Sequence, residues 1–156
     1  MADFAAPVRP APVRTAVNLF YAGLAATVLA VLVVIVDQAG PDGLGANFRS
    51  AYSSYSAEKL AEVKGITLTY LFTLGVLSAL VYLALIRAVR KGKGWARIAA
   101  IVVFAVGTAL GFYHFGENFP VLVTLSGILV GVVGLVAAVA LWTPAASAYF
   151  SRKTAH

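Results

Sequence analysis

Four stretches of this chain are apolar without interruption, at about residues 16–36, 66–86, 95–115 and 121–142. A bilayer core about 30 Å thick needs roughly 20 apolar residues of α-helix to cross it. Each stretch has that length, and none carries an acid or base in its central part. Strands of a membrane barrel would alternate apolar and polar residues over about ten positions. These runs do not alternate, so the pattern predicts four membrane-spanning helices. The expected fold is an all-α membrane protein with a short interfacial helix in the first outer loop. The first run is too long for a typical signal-peptide core, and Asp37, Gln38 and Ala39 follow it where a small-residue cleavage site would stand. It therefore reads as a retained span.

The polar positions between the spans set the expected orientation. An even number of spans places both termini on one side. That side holds Arg9, Arg14, Arg87, Arg90, Lys91, Lys93, Arg97, Arg152 and Lys153, opposed only by Asp3. The other side holds Arg49, Lys59 and Lys64 against Asp37, Asp42, Glu58, Glu62 and Glu117. Lys and Arg are retained on the cytoplasmic side of short loops, so both termini and the middle loop are expected in the cytoplasm. Trp95 and Trp142 then fall at the same interface, where amphipathic rings anchor spans. The organisation expected is a proline-rich tail over residues 1–14, a membrane domain over 15–150 and a basic tail over 151–156.

Three extramembrane segments follow. In the N-terminal tail APVR occurs twice, and Pro7, Pro10 and Pro12 favour an extended polyproline II lead-in. The alternative is a PxxP ligand for a partner. The outer loop, at 38–65, opens on the turn residues GPDGLG. Phe48, Tyr52 and Tyr55 then recur at helical spacing, expected against the lipid surface. The run SAEKLAEVK predicts a short helix capped by Ser56. The middle loop RAVRKGKGWAR carries Arg87, Arg90, Lys91, Lys93 and Arg97, with Gly92 and Gly94 making its turn. Each such cation near an anionic leaflet is worth about 1 kcal/mol. These five are the expected anionic-lipid contacts.

Composition narrows the remaining classes. Of 156 residues, 61% are hydrophobic and 12% charged, and the mean hydropathy is +0.90. Soluble domains have about twice that share of charge. The absence of cysteine excludes disulfides, thiolate metal sites and cysteine nucleophiles. The net charge of +6 is spread over juxtamembrane loops, which argues against nucleic acid as a partner.

Inside the spans the signals concern packing. Lipid tails give apolar helices little reason to associate, so small residues that permit close approach matter most. Gly107 and Gly111 have GxxxG spacing in the third span, and Gly127, Gly131 and Gly134 line the fourth. The short turn between these spans makes them an antiparallel hairpin whose glycine faces are expected to meet. The alternative is a homo-oligomer interface. Convergent titratable groups, which catalysis needs, are scarce. His114 with Glu117 and Asp37 matches no metal-ligand spacing, and the lone histidine of the spans cannot supply paired haem ligation. No catalytic, cofactor or metal site is expected, and the chain does not read as an enzyme.

Three motifs, VRTAVNLFYAGLAATVL, GKGWARIAAIVVF and LWTPAASAYF, resemble a broad group of small actinobacterial four-span integral membrane proteins. The shared features are a WAR-like turn before the third span and a PAxxAYF-like exit from the fourth. The resemblance implies the four-span fold and a high-GC bacterial source, and it transfers no catalytic residues. In positional terms, Trp95 and Arg97 straddle the headgroup layer, Pro144 ends or kinks the fourth helix, and Tyr149 and Phe150 are expected in the interface. Taken together, the expected role is a non-catalytic accessory or scaffold subunit of a bacterial envelope or respiratory complex. The alternatives are a small oligomeric transporter, channel or lipid-handling protein, and a membrane-acting effector or exclusion factor. Expected partners are membrane lipids, other membrane-protein subunits and a second copy of the chain.

Overall fold

The computed structural model describes residues 10–39, 44–114 and 121–153. Expectations for Pro7, Arg9, the 40–43 turn, the 115–120 turn with Glu117, and residues 154–156 fall outside them. The described residues are 90% helical with no strand. Six helices follow in order: α1 (Ala11–Ala39), α2 (Leu44–Ala51), α3 (Ala57–Arg90), α4 (Trp95–His114), α5 (Val121–Ala140) and α6 (Pro144–Lys153). Helices α1, α3, α4 and α5 are each long and apolar enough to cross a membrane.

Helix α1 begins earlier than the apolar run alone indicates. The backbone N–H groups of Val13 and Arg14 donate to the Pro10 carbonyl at 3.0 and 3.1 Å. Pro12 therefore sits in the first helical turn, where its missing N–H costs nothing because that donor would have no partner anyway. This corrects the extended conformation expected at Pro12. The added turn also buries Val13.

The outer loop differs more. Ser56 caps a helix as expected, its Oγ accepting from the Lys59 N–H at 3.3 Å, with Glu58 in the first turn. That helix does not end before the membrane. It runs through Gly65 into the second span as one rod of 34 residues, about 51 Å long at 1.5 Å per residue. The separate short helix expected over SAEKLAEVK is thus the N-terminal end of α3. The loop's own short helix is α2, which packs on α3 and α1. Phe48 of α2 is buried rather than laid on lipid, while Tyr52 and Tyr55 stack on one another, centroids 5.0 Å apart.

The α3–α4 turn closes by standard helix-end chemistry. Gly92 takes a φ of 69°, its N–H donates to Val89 O at 2.9 Å, and the Lys93 N–H donates to Ala88 O at 3.0 Å. This is a Schellman cap, which needs a left-handed residue that glycine supplies without steric cost. At the far end of the chain Pro144 is the first residue of α6, so it both ends α5 and starts a new helix. Helix α6 turns back onto the bundle and buries Ala146, Tyr149 and Phe150. Tyr149 and Phe150 thus belong to the protein core, not to the lipid interface.

The spanning helices are not packed symmetrically. Helix α1 lies between α3 and α5, and α5 also carries α4, whereas α3 and α4 touch only sparsely. The core sits at the end that bears α6 and the α3–α4 turn. There Phe20 of α1, Tyr82 of α3 and Phe104 of α4 meet, with centroid separations of 4.8–6.2 Å. Toward the opposite end the bundle opens.

Candidate functional site

Two features have the form of a site: a cationic surface at the packed end and an apolar cavity toward the open end. The packing between them explains both.

Glycines decide where the helices close. A Cβ on Gly134 would run into the Phe104 ring, and one on Gly23 into the Tyr82 ring. Neither ring can yield easily. Phe104 is held between Phe20 and Tyr82, and the Tyr82 hydroxyl donates to the Val130 carbonyl at 2.6 Å. Gly131 faces Thr108, with a Cβ reaching backbone atoms at 3.1 Å, and Gly111 faces Ile128. These contacts bring α4 and α5 together. Gly107 and Gly127 differ, because a Cβ on either would meet nothing within 4 Å. The five glycines of the third and fourth spans therefore split into a contacting set and a pair that leaves room. Gly23 and Gly75, which abuts Val31, are close-approach glycines that no GxxxG spacing marked.

The room left is a cavity of about 490 Å³. Its walls come from all four spans, including Val31 and Val34 of α1, Phe72 and Ser78 of α3, Val103 and Gly107 of α4, and Gly127 and Val130 of α5. Two of its polar side chains turn back on their own helices: Thr27 donates to Gly23 O at 2.9 Å and Ser126 to Val123 O at 2.8 Å. The surface left to an occupant is overwhelmingly aliphatic and aromatic.

At the packed end, Arg87, Arg90, Lys91 and Lys93 are exposed around the α3–α4 turn. Arg90 also ties elements together. Its guanidinium donates to the Tyr21 hydroxyl at 3.3 Å, and its carbonyl accepts from the Tyr149 hydroxyl at 3.1 Å. Trp95 and Trp142 are about half exposed at this level. Arg97 stands apart from the other cations, being half-buried. Its guanidinium lies 4.4 Å from the Trp142 ring centroid and 5.4 Å from that of Phe150. One terminal nitrogen donates to Ser147 Oγ at 2.9 Å, and its buried Nε has no hydrogen-bond partner. Residues from α4, the α5–α6 turn and α6 thus hold one cation by ring faces and a hydroxyl. The fold-back of α6 creates this cage, and only Pro144 hinted at it in the sequence.

Among the described residues no group of three His, Asp or Glu side chains is placed to hold a metal ion. No protein-family model, curated protein or solved structure matches this chain. The chemistry of the two features above is therefore what bears on function.

Proposed function

We propose that this chain is a non-catalytic accessory or scaffold subunit of a bacterial membrane complex, seated in the cytoplasmic membrane with both termini and the α3–α4 turn in the cytoplasm. The observation that carries this reading is the length and exposure of α3. Its buried residues are confined to its last third, namely Tyr82, Leu85, Ile86, Ala88 and Val89. Helices α3 and α4 leave the same short turn, but α4 has only 20 residues. The surplus of α3, about 20 Å, accordingly lies at the opposite end, where α2 braces it. A rod anchored at one end of a small bundle and projecting past the other suits a part that meets a neighbouring subunit.

The exposed cations at the α3–α4 turn support the cytoplasmic orientation, and Arg87, Arg90, Lys91 and Lys93 are the residues we assign to anionic headgroups, whereas Arg97, expected with them, is turned inward against Trp142 and Phe150. The motif resemblance supports a bacterial source. Native mass spectrometry of the tagged protein, extracted gently from its own membrane, tests the role. A heteromeric mass of fixed stoichiometry is expected. A bare monomer or a homo-oligomer alone would refute the subunit reading.

A further inference from the structure

We propose that the cavity between α3 and α4 binds one acyl chain of a membrane phospholipid. It lies at the depth of the apolar spans and opens sideways where α3 and α4 part, so the medium at its mouth is lipid. Water gains little by entering, because the lining hydroxyls of Thr27 and Ser126 are bonded to their own helices, the rest of the lining is almost wholly apolar, and a buried water needs two to four polar partners. Left void, the walls would forfeit dispersion contacts along their whole length.

Size selects among apolar occupants. Along α4 the lining runs from Val102 to Gly111, about 14 Å of helical rise. A spanning helix of a partner or of a second copy would need a groove along the whole bilayer core of about 30 Å, twice that length. A flexible hydrocarbon chain needs only a slot open to the surrounding acyl chains. No cation is among the lining residues, so the polar end of an occupant stays outside, and the acyl chains that a bilayer supplies at the mouth are those of its phospholipids. The paired glycines create the space: Gly107 and Gly127 touch nothing across it, on two helices that pack tightly at Gly131 and Gly134.

The test uses the full chain, purified in a maltoside detergent, delipidated by detergent exchange and titrated with dioleoyl phosphatidylcholine. That lipid is zwitterionic, so the cationic end does not select it. Native mass spectrometry should find one lipid per chain surviving activation that strips the rest. Gly127→Leu and Gly107→Leu each place a side chain into the void, and each should lower the retained fraction at least tenfold with unchanged helical circular dichroism. The two lie on different helices, so if one fails to fold the other still decides. Equal retention by wild type and a folded variant would overturn the proposal. So would retention of stearic acid but not phosphatidylcholine, or a wild-type homodimer that Gly127→Leu dissolves.

Discussion

Glycine identity means different things at neighbouring positions of α5. Gly131 and Gly127 are one helical turn apart, yet a Cβ meets backbone atoms of Thr108 at 3.1 Å in one case and open space in the other. Gly131→Ala should therefore destabilise the bundle by about 1–3 kcal/mol through overpacking. Gly127→Ala should stay within about 0.5 kcal/mol of wild type. Thermal unfolding in detergent, followed by circular dichroism, separates the two; equal midpoints would contradict the packing described. Arg97 gives a second test at this scale. Its contacts are ring faces and a hydroxyl, which favour the flat guanidinium over a compact ammonium. Arg97→Lys should cost about 0.5–2 kcal/mol despite keeping the charge, and the environment-sensitive fluorescence of Trp142 should change with it. A lysine variant with wild-type stability would mean that charge alone matters there.

Among the elements, α3 departs furthest from what the hydrophobic pattern indicates. The pattern stops at the polar residues before Ile66, but the helix does not, since residues 57–64 are mostly good helix formers with a capped start. Hydropathy marks where lipid begins and says nothing about where hydrogen bonding ends. Gly65 joins the two parts, and a Cβ there meets nothing. Gly65→Ala should leave the rod intact or stiffen it. Gly65→Pro should cost about 3 kcal/mol and uncouple the projecting segment. Hydrogen exchange reads this directly: amide protection should run unbroken across Gly65 in the wild type and fall away N-terminal to it in the proline variant. Helix α6 makes the complementary point. Its mixed polar sequence looks like a departing tail, and its burial of Tyr149 and Phe150 depends on where the bundle places Arg90 and Arg97.

Viewed whole, the molecule is closed at one end and open at the other, with most of its exposed cations among the described residues at the closed end. The chain has no cysteine, so single cysteines report topology cleanly. With the orientation proposed, Ser54→Cys should react with a membrane-impermeant maleimide from outside intact cells, and Lys93→Cys only after lysis. Neutralising Arg87, Arg90, Lys91 and Lys93 together removes up to about 4 kcal/mol of attraction to an anionic leaflet. That variant should lose most of its preference for phosphatidylglycerol over phosphatidylcholine in native mass spectra. A preference unchanged by the four substitutions would place the headgroup contacts elsewhere.

The number of apolar helices long enough to span, and the small residues available for packing, were legible from residue order. Both rest on local properties, namely unbroken apolar length and side-chain size. Which glycines touch a neighbour, the turning inward of Arg97, Tyr149 and Phe150, and the gap between α3 and α4 were not. Each depends on which helices become neighbours. In lipid every apolar face is equally well solvated, so hydropathy cannot rank one pairing above another. The pairing is settled by shape, as at Gly23 against Tyr82 and Gly134 against Phe104, and shape complementarity exists only once two helices from distant parts of the chain are brought together.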